Sequence, residues 1–591
     1  MDMPNNTTTQ QPGPQPIGQS GPQPIGQPGP QPVPMTQPGP QPMAQSMPLM
    51  YQPTPKKQDT PETQHMKENF GFFGPVTFLY ALFYAFCMFK NGSGVTFPFF
   101  AAASLLFLCF SLSKLGLTLK KGSAFYMVSI MMLAVSTFCT DDGRIIFFNK
   151  AGIFLLMMSL LLHQFYDTRK WKLGKYLGNI FLLVFASIGE LYRPFADAGN
   201  YSKRREGKKN KTVWYVVLGT ILAVPLLAIV IALLASADAV FRQVTNTLLE
   251  GIRFGNIFNV LFRVAFLFMA SYQLTAFLCK RSLNESVKDY RRGEPVLAIT
   301  VNGLLTVIYL LFSCIQIVYL FLGKMQLPEG YTYAAYAREG FFQLLAVGIL
   351  NLIIVLVSMS FFRDSKVLKA VLTIMSLCTF IMIASSALRM VIYIQYYYLT
   401  FLRILVLWGL ALLFALFVGI VISIYSEKFP LFRYSTAVVT ILYILLSFAH
   451  PDYIIAAVNV ANAPQSLEQA NVMRTSPDDF FLNDELYHDY RYLSNLNADA
   501  APVLIPYMER LGYWKGTPES WGNLDNGDWG RTASDMISRD GLRRSQIDGF
   551  GYFYLQSLHD STKNFGIRTY NISRHMALRQ IQKASGGAYE K

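Results

Sequence analysis

Charge is scarce in this 591-residue chain, and so are the residues that build metal and catalytic centres: charged side chains make up 15% of it, with six cysteines and six histidines. Cys87, Cys109, Cys139, Cys279, Cys314 and Cys378 all fall in or beside apolar stretches, and none pairs with another Cys or a His at ligand spacing. Neither a disulfide framework nor a zinc site is indicated, and no metal or other cofactor is expected. The cysteines read as small buried hydrophobes. GxSxG, GxxxxGK[ST] and HExxH are also missing, so the common hydrolase, P-loop and zinc-protease signatures give no support to an enzyme. No apolar run follows Met1, as a secretory signal peptide would need.

What is plentiful is apolar sequence. Hydrophobic residues make up 52% of the chain, and they come in blocks. Eleven nearly uncharged stretches of roughly 16 to 27 residues lie between Asn69 and Asp452, and about 20 such residues span a bilayer as a helix. The expected spans are 70–89, 95–113, 124–139, 145–165, 213–235, 257–279, 296–322, 341–361, 370–392, 402–424 and 434–449. The fold class is therefore an all-α integral membrane protein, a polytopic bundle of about 11 transmembrane helices (69–450). A disordered tail (1–68) precedes it and a small, mainly helical soluble domain (451–591) follows.

The net charge of +15 invites a nucleic-acid reading, which its distribution removes. Residues 1–68 carry three basic and four acidic side chains, 69–450 carry 34 and 15, and 451–591 carry 14 and 17. The excess sits in the short loops between apolar blocks, as the positive-inside rule produces, so the expected partner is the lipid bilayer and not nucleic acid. The alternation of the basic loops puts the N-terminus in the cytoplasm. The stretch 173–195 breaks the rhythm: a 14-residue apolar run from Tyr176 to Gly189 meets Glu190 and Arg193-Pro194, with basic clusters on both flanks. Spanning would put one cluster outside, so an interfacial amphipathic helix is expected. Eleven crossings then place the C-terminal domain on the outer face.

The tail repeats GPQP at Gly13, Gly21, Gly29 and Gly39. Such Pro/Gln/Gly sequence has too little apolar surface to order itself; it reads as a solvated leader or as a docking segment for a proline-binding module. In the C-terminal region, Leu486, Tyr490, Leu493, Leu496, Ala500, Val503, Leu504 and Met508 recur at spacings of three and four, the mark of amphipathic helices. Pro502 is expected to open a second helix after Asn497-Ala498-Asp499, and Ile572 to Ala584 to form a closing one.

Ionisable groups at membrane depth are costly and mark candidate sites. Arg263, His163 and Glu190 are such groups, though His163 also suits an interfacial position. Arg389 and Arg403 lie near the outer boundary, where substrate binding competes with snorkelling to headgroups. Two outer segments place charged pairs at helix mouths: Asp238 and Arg242 in SADAVFR, and Arg338 and Glu339 in YAREGFF. They either line a cleft or stabilise the bundle. Asp141-Asp142 is similar to the acidic pairs of membrane glycosyltransferases, but is also ordinary turn chemistry. Pro225, Asn302 and Asn351 interrupt spans without a matching half, a weak transporter signal that kinks and interhelical amide bonds explain equally well.

Taken together, SADAVFRQV, YAREGFFQLL, ALRMVIYIQYYYLTFLRI, YRYLSNLNADAAPVL and RTYNISRHMALRQ resemble a family of bacterial polytopic membrane proteins, the domain of unknown function of the forty-one seventy-three type, related to the forty-one fifty-three type. The resemblance covers roughly 70–583. It implies a bacterial cell membrane and brings no reaction or active residue. At Tyr398 the sequence departs from a glycine usual in that family, which bears on the turn between the ninth and tenth spans. The expected function is a non-enzymatic protein that binds a partner, through 451–591 or the Pro-rich tail, in envelope assembly or sensing. The alternative is a transporter or lipid-linked-substrate transferase with Arg338, Glu339, Arg389 and Arg403 around an outer-leaflet cleft.

Overall fold

The computed structural model describes residues 59–168, 173–204, 254–285, 291–318, 340–463, 490–511 and 550–584, apart from a few positions inside those ranges, together with Trp171 and scattered positions between 219 and 238. Asp59 to Lys591 form one compact unit. Its described helices are α1 (Pro61–Glu68), α2 (Phe70–Met88), α3 (Thr96–Lys114), α4 (Ser123–Cys139), α5 (Gly143–Phe165), α6 (Leu173–Ala186) and α7 (Arg193–Arg204). They continue as α8 (Phe254–Cys279), α9 (Pro295–Gln316), α10 (Phe341–Phe361), α11 (Lys366–Tyr397), α12 (Phe401–Tyr425) and α13 (Leu431–Phe448). The C-terminal part holds α14 (Pro451–Asn462), α15 (Ala501–Arg510) and α16 (Ile572–Ala584).

Among the described residues nine helices, α2, α3, α5 and α8 to α13, are long and apolar enough to cross a membrane, and α4 is a shorter apolar helix. Ten of the eleven expected spans coincide with these helices. Of the other, 213–235, only scattered positions are described, and Pro225 lies outside the described residues. Large apolar side chains stand outward on the helices, such as Phe110 at 59% and Leu304 at 69% exposure, as acyl chains require and water does not tolerate in such number. This is a multi-pass membrane protein.

Successive helices run antiparallel, which sorts their ends into two sets. At the end carrying α1, the cap residue Thr60 donates its hydroxyl to Cys279 O at 2.6 Å, and Lys120 reaches Tyr166 O at 3.0 Å. Gly293 N meets Phe361 O at 3.0 Å, Thr373 meets Tyr425 at 2.9 Å across hydroxyls, and Phe432 stacks on Tyr176 with centroids 4.1 Å apart. We call this end proximal. At the opposite, distal end, Arg263 of α8 donates to Met88 O at 3.1 Å, Ser385 to Gln316 at 2.6 Å, and Ser386 to Phe341 O at 3.2 Å. Ser447 of α13 donates to Asn149 of α5 at 2.7 Å. Two interior clusters result, one built by α2 to α6 and α8, the other by α9 to α12.

The stretch expected to be an interfacial helix is α6, a 3-10 turn at Ser187–Glu190 and α7, bent by 46°. Both of its ends belong to the proximal set. Tyr176 donates to Ser159 O at 3.2 Å, while Glu190 binds Lys280 at 2.6 Å and Arg193 at 2.7 Å. Beyond the bend Tyr272 donates to Asp197 at 3.0 Å, and Tyr201 lies so close to Gly71 that a Cβ there would meet its hydroxyl at 2.4 Å.

Candidate functional site

The C-terminal helices are seated on the distal end. Their core, with Ile455, Leu493, Leu504, Tyr507 and Tyr554 all buried, also takes in Leu399, Ile394 and Phe401 of the α11–α12 turn. The amphipathic positions read from sequence, Tyr490, Leu493, Leu496, Ala500, Leu504 and Met508, are buried in it; Leu486 lies outside the described residues. Pro502 stands in the first turn of α15, where its missing N–H leaves nothing unsatisfied.

Polar groups join this core to the bundle, and at their centre is Asp499, whose side chain is inaccessible to solvent. It accepts hydrogen bonds from the hydroxyls of Thr140 and Ser573, from Asp141 N at 2.9 Å and from His450 Nδ1 at 3.2 Å. Asp141, from the turn between α4 and α5, pairs with Arg574 of α16 at 2.6 Å. Its neighbour Asp142 caps α5, accepting from Arg144 N at 2.9 Å. The Arg144 guanidinium then bridges Asp142 at 2.7 Å and Asp452 of α14 at 2.5 Å, and lies 3.8 Å over the Phe401 ring. Asn571 donates to Thr140 O at 2.9 Å and Ser93 O at 3.2 Å, and Val95 N donates to Tyr570 O at 2.8 Å. Four buried aspartates thus share two arginines and one histidine along a single seam.

Electrostatics in the seam follows from that ratio. Burial pushes the Asp141 carboxyl up to about 6 against the pull of Arg574. Burial likewise raises Asp452 to about 6, because the one guanidinium it faces also serves Asp142. Burial opposes ionisation of Asp499 too, yet the hydrogen bonds from His450, Ser573 and Thr140 outweigh it and hold the group below its usual range. The bond to Asp499 raises His450 more than burial lowers it.

The sign of the pH dependence can be worked out group by group. Asp141 and Asp452 bind protons more tightly folded than unfolded, so their contributions grow as pH falls from about 7 toward 4. His450 adds stability that is lost as pH rises above its raised folded value. Asp499 contributes above its unfolded value and loses this only in stronger acid. Lowering pH from about 7 to about 5 is therefore expected to stabilise the docked state by about 1–3 kcal/mol. The unfolding midpoint of the purified full-length protein in detergent would report it, and a midpoint that falls over that interval would contradict the assignment.

The residues singled out from sequence are spread over the molecule. Arg242, Arg338 and Glu339 lie outside the described residues; Asp238 is exposed, and its amide donates to Leu234 O at 3.0 Å. Arg389 is buried at 8% exposure and donates to Gln316 at 3.4 Å, in place of the extended posture a snorkelling side chain adopts. Arg403 grips the carbonyls of Tyr397 and Tyr398 and lies 4.3 Å over the Tyr393 ring. The two arginines thus serve different partners. Arg263 holds Asn259 and Met88 O, and His163 meets Lys121 O at 3.1 Å. Asn302 donates to Ser358 at 2.9 Å and Asn351 to Thr379 at 3.0 Å, interhelical amide bonds of the ordinary kind.

Arg403 explains how the turn at Tyr398 survives without glycine. Tyr398 has φ 63° and ψ 176°, a region that L-residues rarely occupy, and the guanidinium fixes the carbonyls on either side. Tyr398→Gly is expected to relieve roughly 1–3 kcal/mol of strain against about 1 kcal/mol of added unfolded-chain entropy, a net gain of about 1 kcal/mol. Tyr398→Ala relieves none of it. Equal unfolding midpoints for the two variants would show that the backbone there is unstrained.

Asp452, Asp499, Arg144, Arg574, His450 and Asn571 escaped sequence reasoning, because each has a partner across the seam that lies tens to hundreds of positions away. The available signal was their company: Asn497 and Asp499 sit in YRYLSNLNADAAPVL, and Asn571, Ser573 and Arg574 in RTYNISRHMALRQ. Among the described residues no group of three or more His, Cys, Asp or Glu could hold a metal ion.

No curated protein and no solved structure matches the chain. A family model does, and it covers residues 127–507, from α4 through α15. That range takes in the second interior cluster whole, both aspartates of the α4–α5 turn, Asp452 and Asp499. The chain belongs to the family described as "Domain of unknown function (DUF4153)".

Proposed function

We propose that this is a non-enzymatic protein of the bacterial cell membrane whose distal, outer face is a rigid platform for a partner protein in envelope assembly or sensing. The observation that carries the reading is the seam: buried ion pairs and a shared apolar core join the C-terminal helices to the bundle, as a docking platform needs. Tyr453 at 45% and Met576 at 47% exposure offer apolar contact on it.

The orientation rests on charge. The proximal end carries Lys67, Lys114, Lys120, Lys121, Lys280, Arg281, Lys366 and Lys369, far more than the short distal turns hold, which favours a cytoplasmic proximal end. The contacts of α6 and α7 at that same end support the interfacial reading. That Arg204 stands at the proximal end, near Glu68, and Arg263 of α8 reaches Met88 O at the distal one supports the expected span over 213–235.

A photo-crosslinking residue at Met576 or Tyr453 of the full-length protein in its own membrane tests the platform. One defined adduct common to both positions and absent from a probe at Lys366 is expected. Identical labelling from all three positions, or none from the first two, would refute the reading. A reporter fused after Lys591 that proved active only in the cytoplasm would reverse the orientation.

A further inference from the structure

The segment formed by α6, the 3-10 turn and α7 has two apolar faces, and the bundle uses one. Tyr176, Ile180, Leu183, Ser187, Glu190, Pro194 and Asp197 are buried against it. Between them runs a second stripe at the same spacing: Leu177 (47% exposed), Phe181 (64%), Phe185 (64%), Ile188 (55%), Tyr192 (57%) and Phe195 (66%). The spacing of three and four and the exposure both carry on past the 46° bend, and Phe181 and Phe185 stack in parallel along the stripe, 6.4 Å apart at 4°.

Two observations bear on what covers this stripe. The segment starts beside the C-terminal part of α5, where Tyr176 donates to Ser159 O, and finishes beside the start of α2, where Tyr201 lies against Gly71, so both of its ends lie at one end of the bundle. Basic residues also flank it in sequence: Arg169, Lys170, Lys172 and Lys175 before the stripe, Lys203, Arg204, Arg205, Lys208, Lys209 and Lys211 after it, with Glu206 as the acidic exception. An apolar face with basic margins matches the acyl chains and anionic headgroups of one leaflet.

We propose that α6 and α7 form a binding surface for anionic glycerophospholipid, with the stripe Leu177 to Phe195 in the upper acyl region and Lys175, Lys203 and Arg204 at its margins on the headgroups. This rests on the interfacial reading above, and two measurements separate the failures. The first places an environment-sensitive fluorophore at position 181 or 185 of the full-length protein by nonsense suppression, in vesicles of lipids brominated near the headgroup or near the chain end. Quenching by the shallow bromines alone is expected. Quenching by the deep bromines would show that the segment crosses, and no quenching would show that protein or water covers it; either overturns the proposal together with the interfacial reading.

The second compares the unfolding midpoint in phosphatidylcholine vesicles with that in vesicles containing phosphatidylglycerol, for the native chain and for K175Q/K203Q/R204Q. Phosphatidylglycerol is expected to raise the native midpoint, and that rise is expected to be lost in the variant and at high salt. If the shallow quenching holds but both lipids give the same midpoint, or the variant keeps the full rise, the segment is interfacial and the anionic-lipid surface is refuted.

Discussion

Asp499→Ala should release the C-terminal helices from the bundle. The carboxylate receives hydrogen bonds from four groups on three different pieces of chain: Thr140 and Asp141 of the α4–α5 turn, His450 ahead of α14, and Ser573 of α16. Truncating it strands these donors in a site that water does not reach and leaves His450 without its anion. Removing one member of a buried ionic cluster costs about 3–5 kcal/mol, a large share of the roughly 5–15 kcal/mol that holds a domain together. The bundle has its own interior clusters, so the expected result is selective: residues 490–584 become protease-sensitive in the membrane while α2 to α13 stay protected. Asp499→Asn keeps an acceptor oxygen and should lose only about 1–3 kcal/mol. If the Ala variant resists protease as the native protein does, the seam is not what holds the platform.

The second large effect belongs to Arg144. Its side chain is 41% exposed, but Asp142 and Asp452, which it bridges, are 1% and 2% exposed. Arg144→Met leaves two buried carboxylates facing each other with no cation between them. The expected loss is about 3 kcal/mol, the low end of the range for a broken buried pair because the guanidinium is partly solvated. Adding Asp452→Asn removes one of the stranded charges and should recover about 1–2 kcal/mol. The double-mutant cycle, read from unfolding midpoints in detergent, thus has a definite sign: the pair is less damaging than the sum. Strict additivity would mean that Arg144 and Asp452 do not interact.

The fold was legible where physical signals are local. Long uncharged blocks announced helices, and the three-and-four spacing around Tyr490 to Met508 marked a buried face. The N1 preference of proline placed the start of α15, and the closing helix fell on Ile572–Ala584 as read. Glu190 was read as an obstacle to spanning, and nothing in its local sequence marked it as the partner of Lys280, ninety positions later. Asp141 and Asp142 show the limit most clearly. In sequence they are a turn; in space the Asp141 carboxylate meets Arg574, 433 positions downstream, and Asp142 is joined to Asp452 only through the Arg144 guanidinium between them. No periodicity encodes such a pairing, since nothing in the local spacing of Asp141 differs whether Arg574 arrives or not. Arg389 misled for a related reason: hydropathy gave its depth, while its burial depends on Gln316 of another helix.

The backbone bond from Val95 to Tyr570, with Asn571 reaching Ser93 and Thr140, ties the first helical hairpin to the last described helix. A chain emerging from the ribosome makes α2 and α3 early, yet the amide of Val95 and the carbonyls of Ser93 and Thr140 must wait for more than four hundred further residues before these partners exist. The distal end therefore closes in stages, Asp452 and Asp499 meeting the α4–α5 turn first and the bonds at Val95 and Ser93 forming last, when Tyr570 and Asn571 arrive. A product that stops short of them carries a fully formed membrane core beneath unsatisfied polar groups, which gives a protease a clear way to tell an unfinished copy from a complete one.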